Sequence, residues 1–440
     1  MSRTVGLEKG MQTSLRSIAK KAGKQKEYRF QNLYGMLDEH FLKVCFFKLN
    51  KKAASGVDGV TWKYYRENLN DNIHTLVERL KAKKYRARLV KRQYIPKAGG
   101  KLRPLGLPVL EDKLVQLAVS TILSTIWEED FSSSSCGYRP KVGAKTGVKL
   151  LLSQLRKQRF NHIVEADIKG FFNNIDHSWL LQMLEQRIDD SALLRLIEKW
   201  LKAGVLEDGS EVIHPATGTP QGGVISPILA NIYLHYVLDL WFEKVVSKHC
   251  TGKIFFVRYA DDFVCLFKQK KDAENFYRWL PDRMAKFNLE LAPDKTQIVP
   301  FTGKPFTERF TFLGFEFYRG LTRKRAILPY IRTAPKRMRA SLANFTEWLQ
   351  KNISLGTSEI FRIIRLKLTG YYNYFGVTGN YEMLSSYFFY FKEILRKHLG
   401  RRSQRGKCTR DKFRRLLRIY GIPRPRIKWS LKEYPLLWAS

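Results

Sequence analysis

Cysteine is scarce in this chain, and acid is scarce relative to base. The 5 cysteines among 440 residues stand singly at Cys45, Cys136, Cys250, Cys265 and Cys408. No C-x-x-C pair occurs, which excludes a zinc ribbon or finger and a dense disulfide framework. His249-Cys250 is an isolated pair without the second pair that a tetrahedral zinc site needs, so no zinc is expected. An odd, unspaced set suits a reducing compartment: the cytoplasm, with nucleoid association in a bacterium, or alternatively an organelle. The first thirty residues lack an apolar core of the kind a secretory signal carries. The longest apolar stretch, 225–242, is interrupted by Asn231, His235 and Asp239. It reads as a buried amphipathic helix, so no membrane partner is expected.

Against 40 Asp and Glu stand 79 Lys and Arg, a formal net charge of +39. Self-repulsion on that scale calls for a polyanionic partner, and nucleic acid is the first candidate. Apolar residues make up 44% and aromatics 13%, so the chain folds around a core and is not a disordered basic tail. The excess is uneven: residues 321–440 hold 27 Lys and Arg but 6 Asp and Glu, more than half of the net charge.

Periodicity divides the chain into three. Residues 1–30 form a basic N-terminal arm. Residues 31–325 mix helical stretches with short β-like runs, among them 92–96, 163–168, 254–267 and 310–318, an α+β layout with a small antiparallel sheet. In 326–440 the β signal fades, and aromatics (Tyr371, Tyr372, Tyr374, Phe375, Tyr387, Phe388, Phe389, Tyr390) interleave with base. That pattern fits a helical bundle core carrying a cationic face. Helical patterns also cover 111–127 and 178–203.

Chemistry concentrates at two places. Asp261-Asp262 tips an apolar hairpin whose arms are Ile254 to Tyr259 and Phe263 to Phe267. Two adjacent like charges with apolar neighbours persist where a cation neutralises them; the plain alternative is a turn that uses Asp for its backbone preference. Asp167 ends a second buried-looking strand. Pairing of that strand with the hairpin would gather three carboxylates at one sheet edge, the donor set that phosphoryl transfer by two Mg²⁺ ions requires.

Asp167-Ile168-Lys169-Gly170-Phe171-Phe172 and Tyr259-Ala260-Asp261-Asp262 resemble the catalytic palm of a reverse transcriptase. Thr219-Pro220-Gln221-Gly222-Gly223 with Ser226-Pro227, and Phe312-Leu313-Gly314-Phe315, resemble further blocks of the group II intron-encoded reverse transcriptases, the maturases. The blocks occur in that family's order over about 55–426. The resemblance implies a right-hand fingers and palm followed by a helical thumb and maturase (X) region. It implies catalysis by Asp167, Asp261 and Asp262, which with Ile168 would hold two Mg²⁺. Lys97 and Arg103, flanking the bend Ala98-Gly99-Gly100, would meet the incoming triphosphate, and Gln221 its sugar. Lys295 would support the carboxylates. Phe172 would be the steric gate against a 2′-hydroxyl, although plain strand alternation puts Phe171 on the face of Asp167. Arg401, Arg402, Arg405, Lys407, Arg410, Arg414, Arg415 and Arg418 would track RNA phosphates.

The implied activity is RNA-directed DNA synthesis, with binding of group II intron RNA, help in its splicing, and copying into cDNA during retrohoming. The implied partners are intron RNA, an RNA template, a DNA primer or target, and dNTPs. With no cysteine pair near the tail motif Tyr420 to Arg426, no zinc-dependent HNH endonuclease is expected. Two alternatives remain: a domesticated reverse transcriptase copying another RNA, for instance in phage defence, and a non-catalytic splicing cofactor.

Overall fold

The computed structural model describes residues 2–96, 102–207, 211–213, 217–219, 222–303, 307–401 and 408–431. Helix starts follow side-chain chemistry. Asp38, Asp176 and Asp190 accept early N–H groups from Phe41 (2.7 Å), Trp179 (2.9 Å) and Leu193 (3.1 Å). These caps open helices Glu39–Lys48, His177–Glu185 and Ser191–Leu201. The helical stretch expected over 178–203 is therefore two helices, divided where Asp190 caps the second.

The strands are β1 (Val90–Pro96), β2 (Leu102–Leu107), β3 (His162–Asp167), β4 (Val205–Glu207), β5 (Glu211–Ile213), β6 (Ile254–Tyr259), β7 (Asp262–Phe267), β8 (Gln297–Pro300), β9 (Arg309–Phe312), β10 (Phe315–Leu321) and β11 (Ile327–Thr333). They form three small sheets, ordered β2-β1-β4-β5, β6-β7-β3-β8 and β11-β10-β9. β1 runs antiparallel to β2 and parallel to β4. By chain, residues 1–143, 166–263 and 271–297 make one unit, and 144–165, 264–270 and 298–440 another.

In the first unit, helix Leu110–Trp127 is buried along most of its length. The basic arm is helical over Ser2–Lys24. Its end is tied down by the buried guanidinium of Arg187, which donates to Ala22 O and Gln25 O at 3.0 Å each and pairs with Asp130 at 3.1 Å. Helix Ser226–Leu234 continues through two wider π turns, His235–Asp239 and Phe242–Val246. The stretch 225–242 is largely buried as expected, and its polar residues Asn231, His235 and Asp239 are buried with the apolar ones. Arg283 donates to Tyr236 O (2.9 Å) and Val237 O (2.8 Å), carbonyls of the first wide turn.

In the second unit, β9, β10 and β11 form a meander. The run expected over 310–318 breaks into two strands at Leu313 and Gly314, both left-handed (φ +52° and +77°). β11 lies where the β signal seemed to have faded. Its Tyr330 stacks on Tyr318 across the ladder at 6.0 Å, so the aromatic pairing shows only once the strands are aligned. Helices Pro335–Asn352, Thr357–Phe375 and Tyr381–Gly400 follow. Tyr371 stacks on Tyr387 (3.6 Å) and Phe345 on Phe391 (3.8 Å), so much of the aromatic run is core. Phe389 and Tyr390 are about half exposed. Among the described residues no helix is long and apolar enough to cross a membrane.

Candidate active site

The apolar arms Ile-Phe-Phe-Val and Phe-Val-Cys-Leu-Phe favour strands by packing, and between them Ala260 takes a left-handed φ of +57°. The chain reverses there, leaving Asp261 in the turn and Asp262 as the first residue of β7. β7 neighbours β3, whose last residue is Asp167. The sheet thus sets the Asp262 strand beside the Asp167 strand.

Lys295 supplies the countercharge. Its ammonium reaches Asp167 Oδ2 at 2.5 Å, and this bond raises the lysine above its usual pKa, with the fields of Asp294 and Asp261 adding to the shift. The backbone carbonyl of Asp167 accepts from Ala292 N at 2.8 Å, which brings Lys295 alongside. Asp261 is felt on its other side by Tyr138. Burial pushes that phenol upward, Asp261 adds to the rise, and Arg103 opposes it. Asp167, Lys295, Asp261, Tyr138 and Arg103 therefore share one electrostatic neighbourhood.

Strand alternation ends before the two phenylalanines. Gly170 is left-handed (φ +57°) and opens a helical turn, Phe171–Asn174, so period-two alternation stops before the two phenylalanines. Both are buried. Phe171 meets Tyr233 at 6.5 Å on the helix behind, whereas Phe172 meets Tyr138 edge-on at 6.3 Å. The segment leading to Gln221 is laced to the same turn. Thr219 N donates to Phe172 O and Gly218 N to Ile175 O, both at 2.8 Å. A Cβ on Gly218 would sit 2.8 Å from Asn173 O. On the far side of Gln221, a Cβ on Gly222 would come within 2.5 Å of Gly106 O in β2. Lys97 and Gln221 themselves, with Arg402, Arg405 and Lys407, lie outside the described residues.

The donor set Asp167, Asp261 and Asp262 offers carboxylate oxygen without thiolate or imidazole, and Ile168 can add only its backbone carbonyl. That chemistry fits a hard divalent cation. Among the described residues no group of three or more His, Cys, Asp or Glu side chains is placed so that it could hold a metal ion.

Behind the turn lies a group that the sequence analysis missed. Arg258, fully buried, gives Nε and Nη2 to the two oxygens of Asp239 at 2.7 and 2.6 Å. Its Nη1 reaches Asn231 Oδ1 at 3.1 Å and the carbonyl of Ala260 at 3.0 Å. Asn231 Nδ2 donates to Gly137 O at 2.6 Å. A Cβ on Gly137 would lie 2.2 Å from Ala260 N, so backbone packs directly on the turn. His235 stands 3.9 Å from the same Asp239 carboxylate, and burial pushes the imidazole down to about 4. Two signals existed in the sequence: a lone arginine in an apolar strand, and polar residues at 231, 235 and 239 along an apolar helix.

A family model described as "Reverse transcriptase (RNA-dependent DNA polymerase)" matches residues 95–317, just over half of the chain. The chain belongs to the reverse transcriptase family. The protein YkfC of Escherichia coli K12 is 32% identical to this reverse transcriptase over 345 residues, 70% of the chain and 88% of YkfC. The group II intron-encoded protein LtrA of Lactococcus lactis subsp. cremoris is 29% identical over 444 residues, 80% of the chain and 72% of LtrA. A putative COX1/OXI3 intron 1 protein of Saccharomyces cerevisiae is 28% identical over 219 residues, half of the chain and 26% of that protein. The relatives set this reverse transcriptase among the group II intron-encoded members, as the ordered sequence blocks imply.

Proposed function

We propose that this reverse transcriptase binds group II intron RNA, assists its splicing as a maturase, and copies RNA into DNA at a site built from Asp167, Asp261 and Asp262. The observation that carries the reading is the sheet order β6-β7-β3-β8, which sets the Asp261-Asp262 hairpin beside the strand ending in Asp167. Two Mg²⁺ held by these carboxylates and the Ile168 carbonyl would acidify the primer 3′-hydroxyl and neutralise the leaving pyrophosphate. The remaining roles belong to the chain. Lys295 orients Asp167 through its 2.5 Å bond. Arg103, exposed on β2, meets the triphosphate together with Lys97, and Gln221 lies against the sugar. β1, β2 and their neighbours serve as fingers, the β6-β7-β3-β8 sheet as palm, and the three long helices after β11 as thumb.

Phe172 walls the sugar site, with its ring held against Tyr138 and its carbonyl fixed by Thr219. Phe172→Ala should admit ribonucleotides, raising rNTP incorporation relative to dNTP by roughly 10- to 100-fold, the scale of a lost packing discrimination. Single-nucleotide extension with paired dNTP and rNTP reads this ratio. No change would move the gate elsewhere.

RNA grip falls to the cationic helix Arg410–Ile419. Arg410, Arg414, Arg415 and Arg418 are exposed while Phe413 turns inward. Arg401 stands at the end of helix Tyr381–Gly400. Neutralising about six phosphates should make log K fall against log salt with a slope of roughly −4 to −5. A flat response in filter binding would remove the appendage as an RNA grip. Sequencing the RNA that co-purifies with the protein tests the intron assignment: intron RNA supports it, and an unrelated RNA favours a domesticated enzyme.

A further inference from the structure

The hairpin that presents Asp261 and Asp262 is held in an unfavourable backbone state, since a non-glycine residue at φ +57° is uncommon and costs energy unless its surroundings fix it. The Ala260 carbonyl, which carries the peptide plane into Asp261, takes its bond from Arg258 Nη1 at 3.0 Å. Arg258 is in turn immobilised by the bidentate clasp of Asp239 and by Asn231, all three fully buried. Asn231 also binds Gly137 O, whose residue packs on Ala260 N.

The wide helical turn helps to make this possible. Along an α-helix, residues four apart drift by about 40° per step, so position 239 would stand well round from position 231. A π turn over His235–Asp239 has more residues per turn and takes part of that drift back. Its carbonyls at 236 and 237 accept from Arg283. A charged group buried this completely is costly unless it is fully paired, and here every guanidinium nitrogen is paired.

From this arrangement we infer that Arg258, Asp239 and Asn231 act as positioning residues for DNA synthesis, clamping the Ala260 carbonyl so that Asp261 and Asp262 keep their placement. The inference rests on the assignment of those two aspartates to the reacting centre. It separates from a plain stabilising role because Arg258 makes two kinds of contact: a pair with Asp239, which apolar groups can replace, and a donation to Ala260, which they cannot. Replacing both members of a buried ion pair by apolar residues of similar volume is often neutral or stabilising.

The test is the double variant Arg258→Met/Asp239→Leu, assayed on poly(rA)·oligo(dT) with dTTP beside the wild type. The expected double variant melts cooperatively and binds RNA with unaltered affinity. Its kcat falls by about 10²-fold, the scale of a small misplacement of catalytic groups, while KM for dTTP stays within about twofold. A folded double variant within about threefold of the wild-type kcat overturns the inference. So does one that loses RNA binding in parallel, because the role would then be general to the fold. Should the double variant not fold, Asn231→Ala decides. Losing its bonds to Gly137 and Arg258 should lower kcat about tenfold with KM unchanged, and an unchanged kcat overturns the inference. A wild type that extends no primer would instead remove the assignment of the reacting centre.

Discussion

Asp261→Asn should reduce primer extension by about 10³-fold, or ~4 kcal/mol of transition-state stabilisation, the scale of one preorganised electrostatic group. The substitution keeps the shape of the side chain and removes its charge. Lys295 and Tyr138 both feel that charge, so the change reaches the whole cluster. Folding should be unharmed, because Asp261 sits in a turn beside another carboxylate and its neutralisation relieves repulsion. RNA affinity should also be unaltered, since the arginines proposed to track phosphates stand on a different part of the chain. Extension assays in Mg²⁺ and filter binding on the same preparation check both halves. Extension retained within about tenfold would defeat the catalytic assignment of the hairpin tip.

The largest stability loss should come from Arg258→Met alone. That variant strands the Asp239 carboxylate at 0% exposure, beside a His235 that burial holds neutral. Breaking a buried pair from one side costs about 3–5 kcal/mol. Urea denaturation followed by circular dichroism should show the midpoint falling accordingly, whereas the double variant with Asp239→Leu should recover most of it. A loss below about 1 kcal/mol would mean that the pair behaves like an exposed ion pair, and that water reaches Asp239.

The site was more legible than its support. Acidic residues at an apolar hairpin tip and at the end of an apolar strand are out of place by composition, and the resemblance joins them. Helix Leu110–Trp127 and strand β3 follow their apolar patterns within a residue or so. Other features depend on a single residue's conformation. Gly170 in the left-handed region turns an expected strand alternation into a helical turn, so period two no longer places Phe171 and Phe172. Leu313 and Gly314 split one strand into two in the same way. The Asn231, His235 and Asp239 stripe marks a polar side on a helix expected to be buried, but it does not name the arginine that it faces. Sequence spacing records which residues share a side, but not whether that side meets water or a buried cation.

The lacing between Thr219 and Phe172 bears on any attempt to retune sugar preference. The backbone oxygen of residue 172 is fastened to the stretch that delivers Gln221, and the glycine after Gln221 is pressed against β2. On the proposed roles of these residues, the wall at Phe172 is fastened through Thr219 to the stretch that leads to residue 221. Shortening the ring at 172 leaves that stretch in register, whereas inserting or deleting a residue between 217 and 222 would shift it. Libraries for altered substrates should vary side chains here and hold the loop length constant.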